Sequence, residues 1–298
     1  MNHIISIHDL DRKQIDRLLS RAGEVKAEFK GKEPLKGKIL GLLFFEPSTR
    51  TRMSFESAMI RLGGSCMNLG GIEVSSMAKG ETLADTIRVV SGYADAIVLR
   101  HPKVGAARLA SEFSDIPILN GGDGAGQHPS QTLIDLYTIR QSMPLDNIDI
   151  GLIGDLMYGR TTHSLAYALT HYNARIHTIA PKGLGLPDSI QENLEERGSE
   201  VIEHDSVEDI ISDLDVLYVT RLQRERFPDP AQFFSISSEY RITPSLLSDV
   251  REHLAILHPL PRVDEIDPAV DSLPYARYFE QARNGVPVRM AMLTEVIL

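Results

Sequence analysis

At 298 residues the chain is long enough for about two domains of ordinary size. Hydrophobic residues at 42% and charged residues at 24% exclude an intrinsically disordered chain, and a net charge of −10 excludes broad electrostatic adhesion to nucleic acid or an anionic membrane, though not a local basic pocket. The single cysteine, Cys66, excludes an internal disulfide and any cysteine-built zinc or iron–sulfur site, and fits a reducing compartment.

In chain order, Ile15, Leu18, Leu19, Ala22, Val25 and Phe29 recur at helical spacing and predict an amphipathic opening helix. The start, MNHIISIHDLDRK, carries acidic residues where a secretory signal needs an apolar run. The longest apolar stretch, 39–45 broken only by Gly41, is far below the roughly 20 residues that span a bilayer, so a cytoplasmic location is expected. Strands are predicted over 38–45, 66–69, 95–100 and 116–120, with helices over 48–62, 81–93 and 104–113 between them. A glycine-rich loop, GGDGAGQHPSQ, leads into a helix from about Ser130, which is read as its cap, to Gln141. Residues 143–147, MPLDN, interrupt the pattern and divide the chain into domains at 1–142 and 143–298. Strands over 148–155, 175–180, 215–220 and 254–259 then alternate with helices from Thr161 and over 189–197. A final helix over about 284–298 is expected to pack back on the first domain. Strands separated by helices imply right-handed βαβ units, hence two doubly wound parallel-sheet α/β domains with an active site in the cleft between them.

In such sheets ligands bind beyond the carboxyl ends of the strands. FFEPSTRTRMSFE follows the first strand, and a helix opening at Ser48 or Thr49 offers free backbone N–H groups to an anion. Arg50 and Arg52 in its first turn oppose the helix dipole, which a bound anion would reverse; for Arg52 a solvent-facing role is the favoured reading. Ser75 to Gly80, with Lys79, reads on its own as a surface loop. Arg100 ends an apolar strand and is read as functional, whereas its neighbour His101 is not. His128 and Gln131 follow the glycine loop and can hold a polar carbonyl group. Arg160 stands at a helix start in GLIGDLMYGRTTHS, which lacks the G-x-G-x-x-G dinucleotide spacing. Arg221 and Gln223 lie at alternate positions after a strand, and Leu260 sits between Pro259 and Pro261, where its carbonyl can be aimed. No metal-ligand cluster, nucleophile motif or phosphate-binding P-loop is present in the sequence. The residues therefore describe a site for small polyanions, working by positioning and electrostatic stabilisation with no metal and no cofactor.

FEPSTRTR (45–52), LRHP (99–102), HPSQTLIDLYT (128–138) and HPLPRVDEI (258–266) resemble, in order and along nearly the whole chain, the aspartate/ornithine carbamoyltransferase family. AKGE, TRLQ and HPLPR resemble the aspartate branch; the ornithine branch typically carries a cysteine in the last motif, where Pro259 stands here. Pro47 and Ala78 depart from some relatives without removing a ligand contact. The resemblance implies transfer of the carbamoyl group from carbamoyl phosphate to L-aspartate, an early step of pyrimidine synthesis. It implies that Ser48, Thr49, Arg50 and Thr51 hold the phosphate, and that Thr51, Arg100 and His128 polarise the carbonyl. Gln131 and the carbonyls of Leu260 and Pro261 would hold the amino group, while Arg160, Arg221 and Gln223 would grip the aspartate carboxylates. It further implies a homotrimer in which Ser75 and Lys79 reach a neighbouring chain's site, with regulatory chains as possible partners. An ornithine-specific enzyme, a non-catalytic anion-binding module and an NAD-type dehydrogenase are the other readings. Two arginines placed for carboxylates disfavour the first, the presence of Arg50, His128 and Gln131 the second, and the missing glycine fingerprint the third.

Overall fold

A computed structural model describes residues 3–70, 80–222 and 239–298. Its elements in chain order are α1 (Arg12–Glu28), β1 (Ile39–Phe44), α2 (Thr49–Arg61), β2 (Ser65–Gly70), α3 (Leu83–Ser91), β3 (Ala96–His101), α4 (Ala106–Glu112), β4 (Ile118–Asp123) and α5 (Pro129–Ser142). They continue with β5 (Asp149–Ile153), α6 (Arg160–Leu169), β6 (Arg175–Ile179), α7 (Asp188–Glu196), β7 (Val201–His204), β8 (Val216–Val219), β9 (Ala255–Leu257) and α8 (Tyr278–Ile297). The chain forms two compact units, one of Met1–Tyr137 with Asn284–Leu298, the other of Thr138–Arg283. Among the described residues no helix is long and apolar enough to cross a membrane.

The first unit is built on a parallel sheet of order β2-β1-β3-β4. Its central strands are apolar without alternation because helices cover both faces: Leu40, Leu42, Ala96, Ile97, Val98 and Leu99 are all fully buried. Strand order reverses between β1 and β3, so the crevice for a ligand opens at the ends of those two strands. α1 is the expected amphipathic opening helix and starts at Arg12, with Asp11 and Gln14 closing a capping box: Asp11 Oδ1 accepts from the Gln14 N–H at 2.7 Å, and Gln14 Oε1 from the Asp11 N–H at 2.9 Å.

The second unit carries a parallel sheet of order β7-β6-β5-β8-β9, which reverses between β5 and β8. The opposite, N-terminal end of this sheet is closed by polar contacts. Asp149 takes a fork of two 2.6 Å hydrogen bonds from Arg175, and its own N–H donates to Asp215 at 2.8 Å. Arg251 in turn donates to Asp215 at 2.5 Å. The Arg175 hydrogen bonds, against the opposing effect of burial, hold the Asp149 carboxyl below its usual pKa.

Both sheets are parallel and doubly wound, as the alternating pattern predicts. Four local expectations are corrected. β4 extends through Gly121 and Gly122 to Asp123 rather than stopping at Asn120, because Asp123 pairs with His101 across a register shift. Ser130 is not the cap of α5: Pro129 occupies its first position, where a missing N–H costs nothing, and the N–H groups of Gln131 and Thr132 donate to the His128 carbonyl at 2.9 and 3.2 Å. β7 is an edge strand that was not expected. α8 starts at Tyr278, not near 284, anchored by the fully buried Tyr278 despite the internal Pro287.

Candidate active site

The first unit gathers its candidate residues at the crevice between β1 and β3. The Phe45 N–H donates to the Arg100 carbonyl at 2.8 Å, joining the two strand ends just before the PSTRTR turn. Ser48 caps α2 with an extended backbone and makes no side-chain capping bond, and the first turn holds no acidic residue. That helix start is therefore an electropositive cradle. Partial burial lowers the pKa of the Arg50 guanidinium. Thr51 is buried, whereas Arg50 and Arg52 both stand on the exposed side of the turn.

Arg100 is buried, 8% exposed, and its charge is met on two sides. Nη1 donates to the Gly121 carbonyl at 3.0 Å, and Nη2 lies 3.0 Å from Oε2 of Glu46. Gly122, at φ +115°, allows His128 to approach: a Cβ there would sit 2.7 Å from Arg100 Nη1 and 3.3 Å from His128 Cδ2. The following loop is shaped by Asp123, which accepts from the N–H groups of Gly105 and Gln127 at 2.9 and 2.7 Å. His128 is buried with Nδ1 3.3 Å from the Ser130 hydroxyl. Gln131 donates its amide nitrogen to Asp135 at 2.7 Å, which turns Oε1 into the acceptor it presents, the polarity an –NH2 group requires. His101 faces inward, accepting the Lys103 N–H at 3.0 Å and packing edge-on to Phe45. Burial and the Lys103 charge lower its pKa, a structural role in line with its sequence reading.

In the second unit the ends of β5 and β8 abut, since Gly154, at φ +118°, packs against the Thr220 backbone and the Thr220 N–H donates to Ile153 at 2.8 Å. Half-buried Arg160 opens α6 on one of these loops and exposed Arg221 follows β8 on the other, so both stand at the strand-order reversal. After β9, Leu260 has φ +54° and is followed by a cis peptide to Pro261. Its N–H donates to His258 Nδ1 at 2.8 Å, while His258 Nε2 meets Glu265 Oε1 at 2.7 Å. Burial alone would raise the Glu265 pKa; the His258 hydrogen bond and charge carry it below the usual value. Ser75, Lys79 and Gln223 lie outside the described residues. Among the described residues no three histidine, cysteine or carboxylate side chains are grouped to hold a metal ion.

Sequence reasoning missed Glu46, Asp123, Asp135, Glu265 and Arg289 and read Ser130 only as a cap; these residues contact or shape the surroundings of the candidates from the side. Arg289 had a readable signal, a lone cation in the apolar run PVRMAML, the same kind of signal that singled out Arg100.

Each of the two doubly wound parallel α/β units thus carries cationic side chains at its strand-order reversal, the place where sheets of this class receive ligands. Residues 2–141 match the aspartate/ornithine carbamoyltransferase carbamoyl-P binding domain and residues 146–296 the Asp/Orn binding domain of the same enzymes. The chain belongs to the aspartate/ornithine carbamoyltransferase family. It is 91% identical over 298 residues, covering 100% of both chains, to an aspartate carbamoyltransferase catalytic subunit of Methanospirillum hungatei JF-1. It is 67% identical over 297 residues, again covering 100% of both, to the catalytic subunit of Methanosphaerula palustris. Among solved structures it matches the catalytic subunit of M. jannaschii aspartate transcarbamoylase at a TM-score of 0.94 and 51% identity, covering 100% of this chain and 98% of that one. It matches the Trypanosoma cruzi aspartate transcarbamoylase in complex with N-(phosphonacetyl)-L-aspartic acid at a TM-score of 0.92 and 40% identity, covering 100% and 96%.

Proposed function

We propose that the chain transfers the carbamoyl group of carbamoyl phosphate to the amine of L-aspartate, giving N-carbamoyl-L-aspartate and phosphate for pyrimidine synthesis. The observation that carries this reading is the meeting of buried Arg100 and His128 around Gly122, beside the open N-terminus of α2. Attack of the amine on the carbonyl carbon builds negative charge on the carbonyl oxygen; Arg100, His128 and Thr51 supply donors there. The carbon–oxygen bond to phosphate then breaks, and the leaving phosphate accepts the amine proton, so no protein base is needed. Ser48, Thr49, Arg50 and Thr51 receive the phosphate, and Gln131 Oε1 with the Leu260 and Pro261 carbonyls accepts from the carbamoyl –NH2. Arg160, Arg221 and Gln223 hold the two carboxylates of aspartate, which bidentate guanidinium groups match in geometry.

On this reading residues 1–142, together with the helix over about 284–298, form the carbamoyl-phosphate-binding domain and 143–298 the aspartate-binding domain. The working enzyme is a cytoplasmic homotrimer in which Ser75 and Lys79 serve the neighbouring chain's site, open to association with regulatory chains. Incubation with carbamoyl phosphate and either L-aspartate or L-ornithine tests the activity. Carbamoylated product and phosphate with aspartate alone are expected. Product with ornithine would overturn the roles of Arg160 and Arg221, and no product from folded trimer with either amine would overturn the whole reading.

A further inference from the structure

We propose that Arg289 on α8 is a positioning residue for His128, acting through the Ser130 hydroxyl to fix the imidazole as a neutral Nε2–H donor. Arg289 is 3% exposed and lies 4.8 Å over the Phe55 ring, among the buried Val288, Met290, Ala291 and Met292. Burial pushes its pKa down to about 9, with the Asp135 carboxylate acting in the opposite sense. A cation in such a place needs a reason. Room is made for it: a Cβ at Gly285 would sit 2.6 Å from Nη1, which instead donates to the Gly285 carbonyl at 3.3 Å.

The other terminal nitrogen, Nη2, donates to the Ser130 hydroxyl at 3.4 Å. A guanidinium has donors only, so Ser130 Oγ is the acceptor in this contact and keeps its own proton for a second partner. That partner is His128 Nδ1 at 3.3 Å. In the proposed relay that proton is given to Nδ1, which is then the acceptor and leaves the imidazole proton on Nε2. Protonating both nitrogens would reverse the Ser130 contact, turning the hydroxyl proton away from Nδ1, and add a second positive charge to a buried site that already holds Arg289. The same cation faces Asp135, the fully buried carboxylate that orients Gln131. One buried arginine thus supports two side chains of the candidate site from behind. The relevance of the Nε2–H form to turnover rests on the proposed role of His128 as a donor to the carbamoyl oxygen, but the tautomer itself is measurable without it.

The test uses the intact enzyme with 15N-labelled histidine, the His128 signals being identified by their loss in His128→Asn, and compares wild type, Ser130→Ala and Arg289→Gln. Wild type is expected to show a neutral Nε2–H imidazole across the neutral pH range. Ser130→Ala, which removes only a hydroxyl, is expected to give a mixture with the Nδ1–H form and to lower kcat by about tenfold or more. Arg289→Gln should do the same, and the double variant should lose no more than the worse single one. A Ser130→Ala enzyme that keeps a pure Nε2–H signal would overturn the relay, whether or not Arg289→Gln folds. Full activity in His128→Asn would instead sink the proposed role of His128 while leaving the tautomer result standing.

Discussion

Gly122 is the point on which Arg100 and His128 converge: a Cβ there would lie 2.7 Å from Nη1 of the arginine and 3.3 Å from Cδ2 of the histidine. Its φ of +115° is also a region that side-chain-bearing residues rarely adopt. Gly122→Ala should therefore act twice. It should lower stability by roughly 1–3 kcal/mol through backbone strain. It should also displace the Arg100 guanidinium by enough to cut kcat/KM for carbamoyl phosphate at least about tenfold, since misplacement by about 1 Å can cost 10²-fold. A thermal melt and initial rates with varied carbamoyl phosphate separate the two effects. A destabilised variant with normal kinetics would mean that Arg100 does not need its observed position.

Arg50 and Arg221 serve different substrates in the proposed reaction, and their variants should differ accordingly. Arg50→Ala removes stabilisation of the leaving phosphate and should lose about 10²–10³ in kcat. Arg221→Ala should raise the KM for aspartate and lower kcat, while binding of carbamoyl phosphate, followed by calorimetry, persists. If Arg221→Ala instead abolished carbamoyl phosphate binding, its assignment to the carboxylates would be wrong.

The sharing of sites between chains has a direct complementation test. Lys79→Ala and Arg50→Ala should each be nearly inactive alone. In a homotrimer whose Lys79 reaches a neighbour, mixed trimers contain some sites with both residues intact, so activity should return on subunit exchange. Exchange verified by mass spectrometry with no recovery would show that each chain completes its own site.

How far the sequence discloses this molecule depends on how local each signal is. β1 and β3 are legible because a strand buried on both faces must be apolar throughout, and Arg100 stands out as a charge at the end of such a run. β7 is not legible: as an edge strand only partly buried it has no reason to be apolar, and VIEH carries no clear period. α8 is obscured by Gly285 and Pro287, which weaken any helical reading although tertiary packing of Tyr278 and the buried Val288–Leu293 run overrides them. The candidate loops follow from the rule that ligands sit beyond strand ends. Their supports do not: Glu46 meets Arg100, and Arg289 meets Ser130, across sequence separations that no local pattern encodes.

The pH dependence of stability should centre on His163. This residue follows Arg160 on α6, and its Nε2 lies 2.5 Å from the Leu156 carbonyl, which can only accept, so Nε2 carries the proton of the neutral ring. Burial lowers the His163 pKa below its ordinary value of 6.5, outweighing that hydrogen bond and the Asp155 charge. Between the lowered folded value and 6.5 the unfolded chain binds more protons than the folded one, so stability rises with pH through that window. The contribution is complete above 6.5 and is lost progressively as the solution is acidified through the folded value. His163→Gln keeps an N–H donor for Leu156 but cannot titrate, so its Tm should fall less than wild type between about pH 7 and pH 5. His3, His101 and His204, whose pKa values are also lowered by burial, leave a residual slope of the same sign. Equal slopes in the two proteins would assign the acid sensitivity to those histidines and remove His163 from the account.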